Sequence, residues 1–122
     1  FAYRKSYNNI LFYTKTGTYT FHALRENGKD GLLKDWWRIK SIADKSGYLQ
    51  HDNEYKIHPS QKPIELLERI ISVSSNKDDI ILDPFFGSGT TGVAAKKLSR
   101  NFIGIEINSE YCKMARERID NA

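Results

Sequence analysis

The chain has 122 residues, with 19 lysine and arginine residues against 15 aspartate and glutamate residues, a net charge of +4 and a single cysteine. This length holds one small domain at most, and one cysteine excludes an internal disulfide. One cysteine with three histidines argues against a zinc site. No stretch of the sequence is apolar for long enough to cross a membrane. The positive net charge suits a polyanionic partner, and it is equally common in ordinary soluble proteins.

The first element comprises residues 7–21, which are rich in the aromatic and β-branched side chains that strands favour. We predict two strands that flank a turn near Thr16-Gly17. Ile10-Leu11-Phe12-Tyr13 is the predicted buried strand, and Thr18 to Phe21 alternates as an exposed strand does.

The second stretch, residues 22–57, is the least regular part of the chain. Its main feature is an aromatic and basic cluster, Trp36-Trp37-Arg38-Ile39-Lys40. The tryptophans are candidates to stack on a base, and the basic side chains are candidates to contact phosphate. The alternative is a solvated loop with one tryptophan packed in the core. The basic candidates are Lys29, Lys34, Arg38, Lys40, Lys45 and Lys56.

The third stretch, His58-Pro59-Ser60-Gln61-Lys62-Pro63, leads into a predicted helix with Pro63 in its first turn. The helix has one apolar face, made by Ile64, Leu67, Ile70 and Ile71. Lys62 is a cation at a helix start, where the helix dipole is unfavourable to it. That misfit slightly favours a ligand role for Lys62 over that of a simple exposed cation.

The fourth stretch is a predicted strand, a glycine-rich turn and a helix. Asp79-Ile80-Ile81-Leu82 is apolar enough for a fully buried strand, and Gly92 to Leu98 is the helix. Between them, Gly87-Ser88-Gly89-Thr90-Thr91-Gly92 has the G-x-G-x-x-G spacing of a nucleotide-binding loop, whereas the lysine of a phosphate-binding P-loop is missing. The helix start favours an anion or carboxylate. A tight turn without a ligand is the alternative.

The fifth stretch, Asn101 to Ile105, is a second apolar strand that ends on Glu106. An acidic residue about 20 residues after the first strand is placed to accept both hydroxyls of a ribose. The alternative is a solvated glutamate at a strand end. Asn108 or Ser109 then caps a last helix, whose apolar face is expected to pack on the sheet. That face comprises Tyr111, Met114, Ala115 and Ile119, and we interpret the thiol of Cys112 as structural.

Three motifs together resemble one family, the DNA amino-methyltransferases that use S-adenosylmethionine. The cofactor motif of the family resembles Asp83-Pro84-Phe85-Phe86-Gly87-Ser88-Gly89-Thr90-Thr91. The segment that precedes it in the circularly permuted beta class resembles His58-Pro59-Ser60-Gln61-Lys62-Pro63-Ile64-Glu65-Leu66-Leu67. The ribose-binding motif that follows resembles Phe102-Ile103-Gly104-Ile105-Glu106-Ile107. The motifs occur in the beta-class order and spacing.

The resemblance implies an α/β, Rossmann-like methyltransferase fold. Residues 58–122 would be its S-adenosylmethionine-binding half, and residues 1–57 part of a catalytic-side hairpin and a target-recognition region. The implied cofactor-binding residues are Lys62, Pro63, Asp83, Pro84, Phe85, Gly87, Ser88, Gly89, Thr90, Thr91, Glu106, Ile107 and Asn108. The implied contacts to double-stranded DNA are Tyr13, Lys34, Trp36, Trp37, Arg38 and Lys40; Tyr13 could equally be a core residue.

One motif of the family is not found in this sequence. The family orients its substrate amine with an Asp/Ser/Asn-Pro-Pro-Tyr/Phe tetrapeptide, whereas the prolines here are Pro59, Pro63 and Pro84. We therefore expect an incomplete fold, without the central strands that carry the tetrapeptide, which an N-terminal part or a partner chain would supply.

The expected function is that of the C-terminal part of a DNA methyltransferase. The enzyme would methylate the exocyclic amino group of adenine or cytosine, in a restriction–modification system of the prokaryotic cytoplasm, and it could be a homodimer. The alternative is a non-catalytic cofactor- or DNA-binding module, or one half of a split methyltransferase.

Overall fold

The computed structural model describes residues 8–24, 35–39 and 61–122. In this part of the chain, helices and strands alternate in the order α1 (Ile64–Ser74), β1 (Ile80–Asp83), α2 (Thr90–Lys97), β2 (Asn101–Gly104) and α3 (Ser109–Asp120). None of these helices combines the length and the apolar character needed to cross a membrane. The alternation of helix and strand confirms the predicted α/β class.

The two strands form a parallel sheet, with α2 as the crossover between them. Ile80 pairs with Asn101 and Asp83 pairs with Gly104. Because the strands are parallel and in register, their carboxyl ends lie side by side. The glycine-rich loop after β1 and the acidic residue after β2 therefore meet at one edge of the sheet, as the sequence predicts.

The core lies between α1, α2 and one face of the sheet. Ile71 of α1 is buried against Ala94 and Ala95 of α2, and the two alanines have no exposed surface. Small side chains at these positions let the two helices approach closely. The predicted apolar face of α1 is confirmed at Ile71 and at Leu67. The partly buried side chains around this core are Leu67, Ile81, Leu98 and Phe102.

The start of α1 differs by one residue from the prediction. Pro63 is the N-cap, with φ −60° and ψ 139°, and the helix begins at Ile64. The proline ring fixes φ alone, and the extended ψ leaves Pro63 outside the helix. Its carbonyl accepts the first turn's hydrogen bond from the Leu66 N–H at 3.2 Å.

The last helix, α3, packs on α2 and on the glycine-rich loop, so the prediction that it packs on the sheet is wrong. Ala115 and Ile119 are its buried side chains. Ala115 faces Gly89, and the Ile119 Cδ1 atom lies over Gly92. The contact with Ala115 needs a glycine at position 89, since a Cβ there would meet the Cβ and the backbone Cα of Ala115, and this lets the loop and helix α3 fit together.

The predicted cap of α3 is confirmed. Asn108 is the N-cap, and its side-chain oxygen accepts hydrogen bonds from the Glu110 N–H at 2.9 Å and the Tyr111 N–H at 3.4 Å. Two otherwise unpaired N–H groups of the first turn are satisfied in this way. The cap fixes where β2 ends and α3 starts.

The prediction that β1 is fully buried is wrong. Ile80 and Leu82 are 64% and 61% exposed, and Ile103, which pairs with Leu82, is 53% exposed. Ile81 points to the other face, toward α1 and α2. The helices cover one face of the sheet, and no described residue covers the face that carries Ile80, Leu82 and Ile103.

The predicted strands in residues 8–24 do not form, although the predicted turn coincides with a bend at residues 15–17. Ile10, Leu11, Phe12 and Tyr13 are all at least half exposed, so the prediction of a buried strand is wrong. The two arms still lie near each other, because the Phe12 ring packs edge-on against Tyr19 and Phe21, at 5.5 and 5.9 Å between centroids. Strand preference reflects the packing surface, and among the described residues no strand pairs with this segment.

Residues 20–22 lie against the C-terminal end of α1. The His22 N–H donates to the Val73 carbonyl at 2.8 Å. The Asn76 side chain hydrogen-bonds to the His22 ring at 2.9 Å and to the Thr20 hydroxyl at 3.4 Å. These bonds attach the first described segment to the helical layer.

Candidate functional site

The glycine-rich loop has the backbone that its sequence predicts. Gly87 and Gly89 adopt positive φ values of 54° and 78°, a region that costs other residues strain. Gly89 is also the N-cap of α2 and provides no side-chain cap. The first N–H groups of α2 therefore have no capping side chain and are suited to an anionic group.

The loop is packed against its surroundings by an aromatic ring, that of Phe86. This ring stacks on Phe102 with centroids 5.7 Å apart. A Cβ on Gly92 would lie 2.7 Å from its Cζ atom, and a Cβ on Gly104 would overlap its ring carbons. Phe86 is therefore the residue that requires glycine on both α2 and β2, and the sequence analysis assigned it no role.

Asp83 connects the end of β1 to the start of α2. One carboxylate oxygen accepts from the Phe85 N–H at 3.0 Å, and the other accepts from the Thr91 hydroxyl at 2.6 Å. The carboxylate holds the loop closed across its base. Asp83 therefore shapes the loop, a role that spacing alone does not reveal, and its part in cofactor binding stays a prediction.

Glu106 joins the end of β2 to the glycine-rich loop. Its Oε2 atom accepts from the Gly87 N–H at 2.8 Å, and its Oε1 atom accepts from the Asn108 N–H at 2.8 Å. The backbone oxygen of Glu106 accepts a weak hydrogen bond from the Cys112 thiol at 3.5 Å. These two bonds fix the direction of the carboxylate beside the glycine-rich loop.

A cavity of about 190 Å³ opens between the glycine-rich loop and the residues that precede α1. Lys62, one of the predicted cofactor-binding residues, lines this cavity together with residues of the glycine-rich loop. Pro63, Pro84, Gly89, Glu106, Ile107 and Asn108 do not line it, although Glu106 adjoins it through Gly87. Gln61 also lines it, and sequence analysis did not single this residue out. The lining residues are Gln61, Lys62, Leu67, Asp83, Phe85, Phe86, Gly87, Ser88, Thr90 and Thr91.

A larger, open hollow of about 370 Å³ lies at the opposite end of the strands. Its two cationic side chains are engaged in structural bonds. Lys96 donates to the carbonyls of Ile119 and Asp120 at the end of α3, and Arg100 donates to the carbonyl of Ser75 after α1. These cations stabilise helix ends, and the candidate site is the smaller cavity beside the loop.

The predicted DNA-contact residues fall into three groups. Tyr13, Trp36 and Arg38 are exposed, the first two at 83% and 61%. Trp37 is half-buried, with the guanidinium carbon of Arg69 on α1 lying 4.2 Å from its ring centroid, so it packs on α1. Lys34 and Lys40 lie outside the described residues.

The elements around the cavity together form a recognisable structural unit. A strand, a glycine-rich loop, a helix and a parallel strand followed by an acid form an α/β unit of the Rossmann type, a unit that binds dinucleotides in many proteins. The family model described as DNA methylase, for N6 and N4 methylation, matches residues 2–117. The chain belongs to this family of DNA amino-methyltransferases, and the family predicted from the three motifs is confirmed.

Individual relatives agree with this assignment. The chain is 61% identical over 92 residues to the DNA adenine methyltransferase YhdJ of Escherichia coli K12, covering 75% of this chain and 28% of the relative. It is 44% identical over 105 residues to the type II methyltransferase M2.DpnII of Streptococcus pneumoniae, covering 84% and 36%. The chain thus spans about a third or less of these relatives.

Solved structures agree on the fold. The crystal structure of the M1.HpyAVI–SAM complex matches with a TM-score of 0.61 and 39% identity, over 84% of this chain and 45% of that chain. The cytosine-N4-specific PvuII DNA methyltransferase matches with a TM-score of 0.50 and 38% identity, over 52% of this chain and 23% of that chain. The predicted Rossmann-like methyltransferase fold is therefore confirmed for this part of the fold.

Proposed function

We propose that residues 58–122 bind S-adenosylmethionine as the cofactor half of a DNA methyltransferase that modifies the exocyclic amino group of adenine or cytosine. The observation that carries this proposal is the 2.8 Å hydrogen bond between the Gly87 N–H and Glu106 Oε2. This bond supports the proposal, because it holds the carboxylate that we propose as ribose acceptor against the glycine-rich loop. A nucleoside that lies over the loop then meets Glu106 with its sugar.

Lys62 and the start of α2 would hold the amino-acid end of the cofactor. The cavity of about 190 Å³ is smaller than typical pockets for whole ligands, which start at roughly 300 Å³. We therefore assign to it only the amino-acid end of the cofactor. A carboxylate there would face the N–H groups of α2, and Lys62 lines the same cavity and carries the complementary charge.

Ile107 and Phe85 would provide apolar surface for the adenine ring. Ile107 follows Glu106 directly and is fully exposed, and Phe85 lies in the loop and is 90% exposed. Exposed apolar side chains next to a nucleotide site suit the faces of a base. Asn108 donates its N–H to Glu106 and caps α3, so its role at the site is to hold the carboxylate.

S-adenosylmethionine supplies a methyl group on a sulfonium, which is a good leaving group, so the chemistry depends mainly on orientation. This chain's own residues bind the cofactor and fix its direction. The Pro-Pro tetrapeptide that would orient the amine is not in this sequence. A further part of the protein or a partner chain would therefore supply it, and the double-stranded DNA would meet Tyr13, Trp36 and Arg38 among the described residues.

The uncovered face of the sheet supports a larger assembly. Ile80, Leu82 and Ile103 form an exposed apolar surface, and surfaces of this kind are covered in working proteins. We expect the rest of the methyltransferase fold, on this or on a partner chain, to cover this face. Residues 1–57 would then contribute the catalytic-side hairpin and the target-recognition region.

Calorimetric titration of the purified protein with S-adenosylmethionine tests the proposal. Glu106→Ala should weaken binding by at least about tenfold, because a hydrogen bond to a charged group contributes about 1.5–3 kcal/mol, and Asp83→Ala should weaken it as well. Glu117→Ala, on the exposed face of α3, is the matched control and should bind like the wild type. Unchanged affinity in both site variants would refute the proposal.

A methyl-transfer assay on duplex DNA separates the two candidate functions. Transfer by the protein together with its tetrapeptide-bearing part supports the methyltransferase. Cofactor binding without any transfer in that complete form would favour the non-catalytic module.

A further inference from the structure

Arg118 on α3 reaches across to the glycine-rich loop. Its Nη1 atom donates to the Ser88 carbonyl at 2.6 Å, to the Ser88 hydroxyl at 3.1 Å and, more weakly, to the Thr90 hydroxyl at 3.4 Å. Ser88 and Thr90 are 3% and 7% exposed, and both line the cavity next to the loop. Arg118 does not line that cavity, and these bonds connect it to two residues that do.

Ser88, whose carbonyl accepts from Arg118, lies between two glycines of the loop. These are Gly87 and Gly89, with φ values of 54° and 78°. A glycine rotates about its backbone bonds more freely than any other residue, so the orientation of the peptide between Ser88 and Gly89 depends on its hydrogen bonds. Within the loop, the Gly89 N–H donates to the Phe86 carbonyl at 3.0 Å. A hydrogen bond from a guanidinium is stronger than one from a neutral donor, and Arg118 holds the carbonyl end of the same peptide from outside the loop.

The helix that carries Arg118 is itself fixed against α2. Lys96 on α2 donates to the Ile119 carbonyl at 2.6 Å and to the Asp120 carbonyl at 3.2 Å. Ala115 packs so closely on Gly89 that a Cβ there would lie 2.7 Å from the Ala115 Cβ. Helix α3 therefore presents Arg118 to the loop from a fixed position.

We propose that Arg118 is a positioning residue for cofactor binding, which sets the Ser88–Gly89 peptide and the Thr90 side chain in the geometry that the cofactor meets. The inference rests on the proposed function. On its other side the loop is held by the bond from the Thr91 hydroxyl to Asp83. Arg118 and Asp83 thus hold the loop at two places, and only Asp83 lines the cavity.

Three variants on α3 test this role. Arg118→Met removes the bonds, Arg118→Lys keeps the charge and can reach fewer oxygens at once, and Arg116→Met removes an exposed arginine of the same helix as the matched control. Arg118→Met should weaken S-adenosylmethionine binding about tenfold, which is about 1.4 kcal/mol, because the loop loses the bonds that hold it in the binding geometry. Arg118→Lys should fall between Arg118→Met and the wild type, and Arg116→Met should bind like the wild type.

A second measurement needs no cofactor. Amide hydrogen exchange at Gly89 and Thr90 should be faster in both Arg118 variants than in Arg116→Met, because the loop peptide is less restrained. A lower melting temperature with unchanged affinity and unchanged exchange would show a merely structural role and would overturn the inference. If Arg118→Met does not fold, Arg118→Lys decides by the same two criteria.

The failure of this inference and the failure of the proposed function give different results. A wild-type protein that binds no S-adenosylmethionine refutes the proposed function, and the exchange rates at Gly89 and Thr90 still decide on Arg118. A wild-type protein that binds the cofactor, with Arg118→Met binding equally well, refutes the positioning role alone.

Discussion

Gly89→Ala is the substitution that tests the packing of the loop most sharply. Gly89 has φ 78°, and an added Cβ would lie 2.7 Å from the Cβ and 3.0 Å from the Cα of Ala115. A left-handed backbone costs a non-glycine residue about 1–2 kcal/mol. Overpacking a tight contact costs about 1–3 kcal/mol more, so the free energy of unfolding should fall by about 2–5 kcal/mol.

Urea denaturation of four variants separates the two contributions. Gly17→Ala is the control, since nothing lies within 4 Å of its Cβ position, and it should stay within about 0.5 kcal/mol of the wild type. Ala115→Gly alone should cost about 1 kcal/mol of helix stability. In the double variant Gly89→Ala/Ala115→Gly, the Ala115→Gly change relieves the overpacking and leaves the backbone strain. The double-mutant cycle should therefore give a favourable interaction free energy of about 1–3 kcal/mol between the two positions.

Two results would refute this reasoning. If Gly89→Ala is as stable as Gly17→Ala, the left-handed backbone and the close contact are both absent. If the double variant shows no coupling, Gly89 does not meet Ala115 and helix α3 does not pack on the loop.

Four further substitutions have defined outcomes. Thr91→Val removes the hydroxyl that donates to Asp83 at 2.6 Å, and it should lower the free energy of unfolding by about 1.5–3 kcal/mol in urea denaturation; an unchanged value would contradict that bond. Asn108→Ala removes the cap of α3 and should cost about 1 kcal/mol in the same assay; wild-type stability would speak against the cap. Trp36→Ala, at an exposed residue, should weaken binding to a duplex DNA by fluorescence anisotropy while the melting temperature stays constant. Trp37→Ala should lower the melting temperature. If instead Trp36→Ala lowers the melting temperature and Trp37→Ala weakens DNA binding, the packing role and the DNA-contact role are exchanged.

The features that could be predicted from the sequence are mostly those determined by residues close together in the chain. The turn from β1 into α2 depends on Gly87 and Gly89, whose positive φ values follow from the loop's own geometry. The cap at Asn108 depends on N–H groups two and three residues away. Glu106 meets the loop because parallel strands end at the same edge of the sheet, which alternation of strand and helix already implies.

The features that could not be predicted from the sequence depend on residues that lie far apart in the chain. Whether Ile80 and Leu82 are buried depends on what covers the second face of the sheet, and an apolar run carries no information about that. The same holds for the aromatic segment that ends at Tyr13. Arg118 contacts Ser88 from thirty residues further along the chain, and the only signal in the sequence is that it lies one helical turn after Ala115 on α3.

We propose that S-adenosylmethionine lies over the glycine-rich loop with its ribose at Glu106. A crystal structure of the protein with S-adenosylmethionine bound is the decisive test of this placement. We predict that both ribose hydroxyls hydrogen-bond to the Glu106 carboxylate, with the amino-acid end between Lys62 and the start of α2. A cofactor bound anywhere else, or a ribose that makes no contact with Glu106, would contradict the claim.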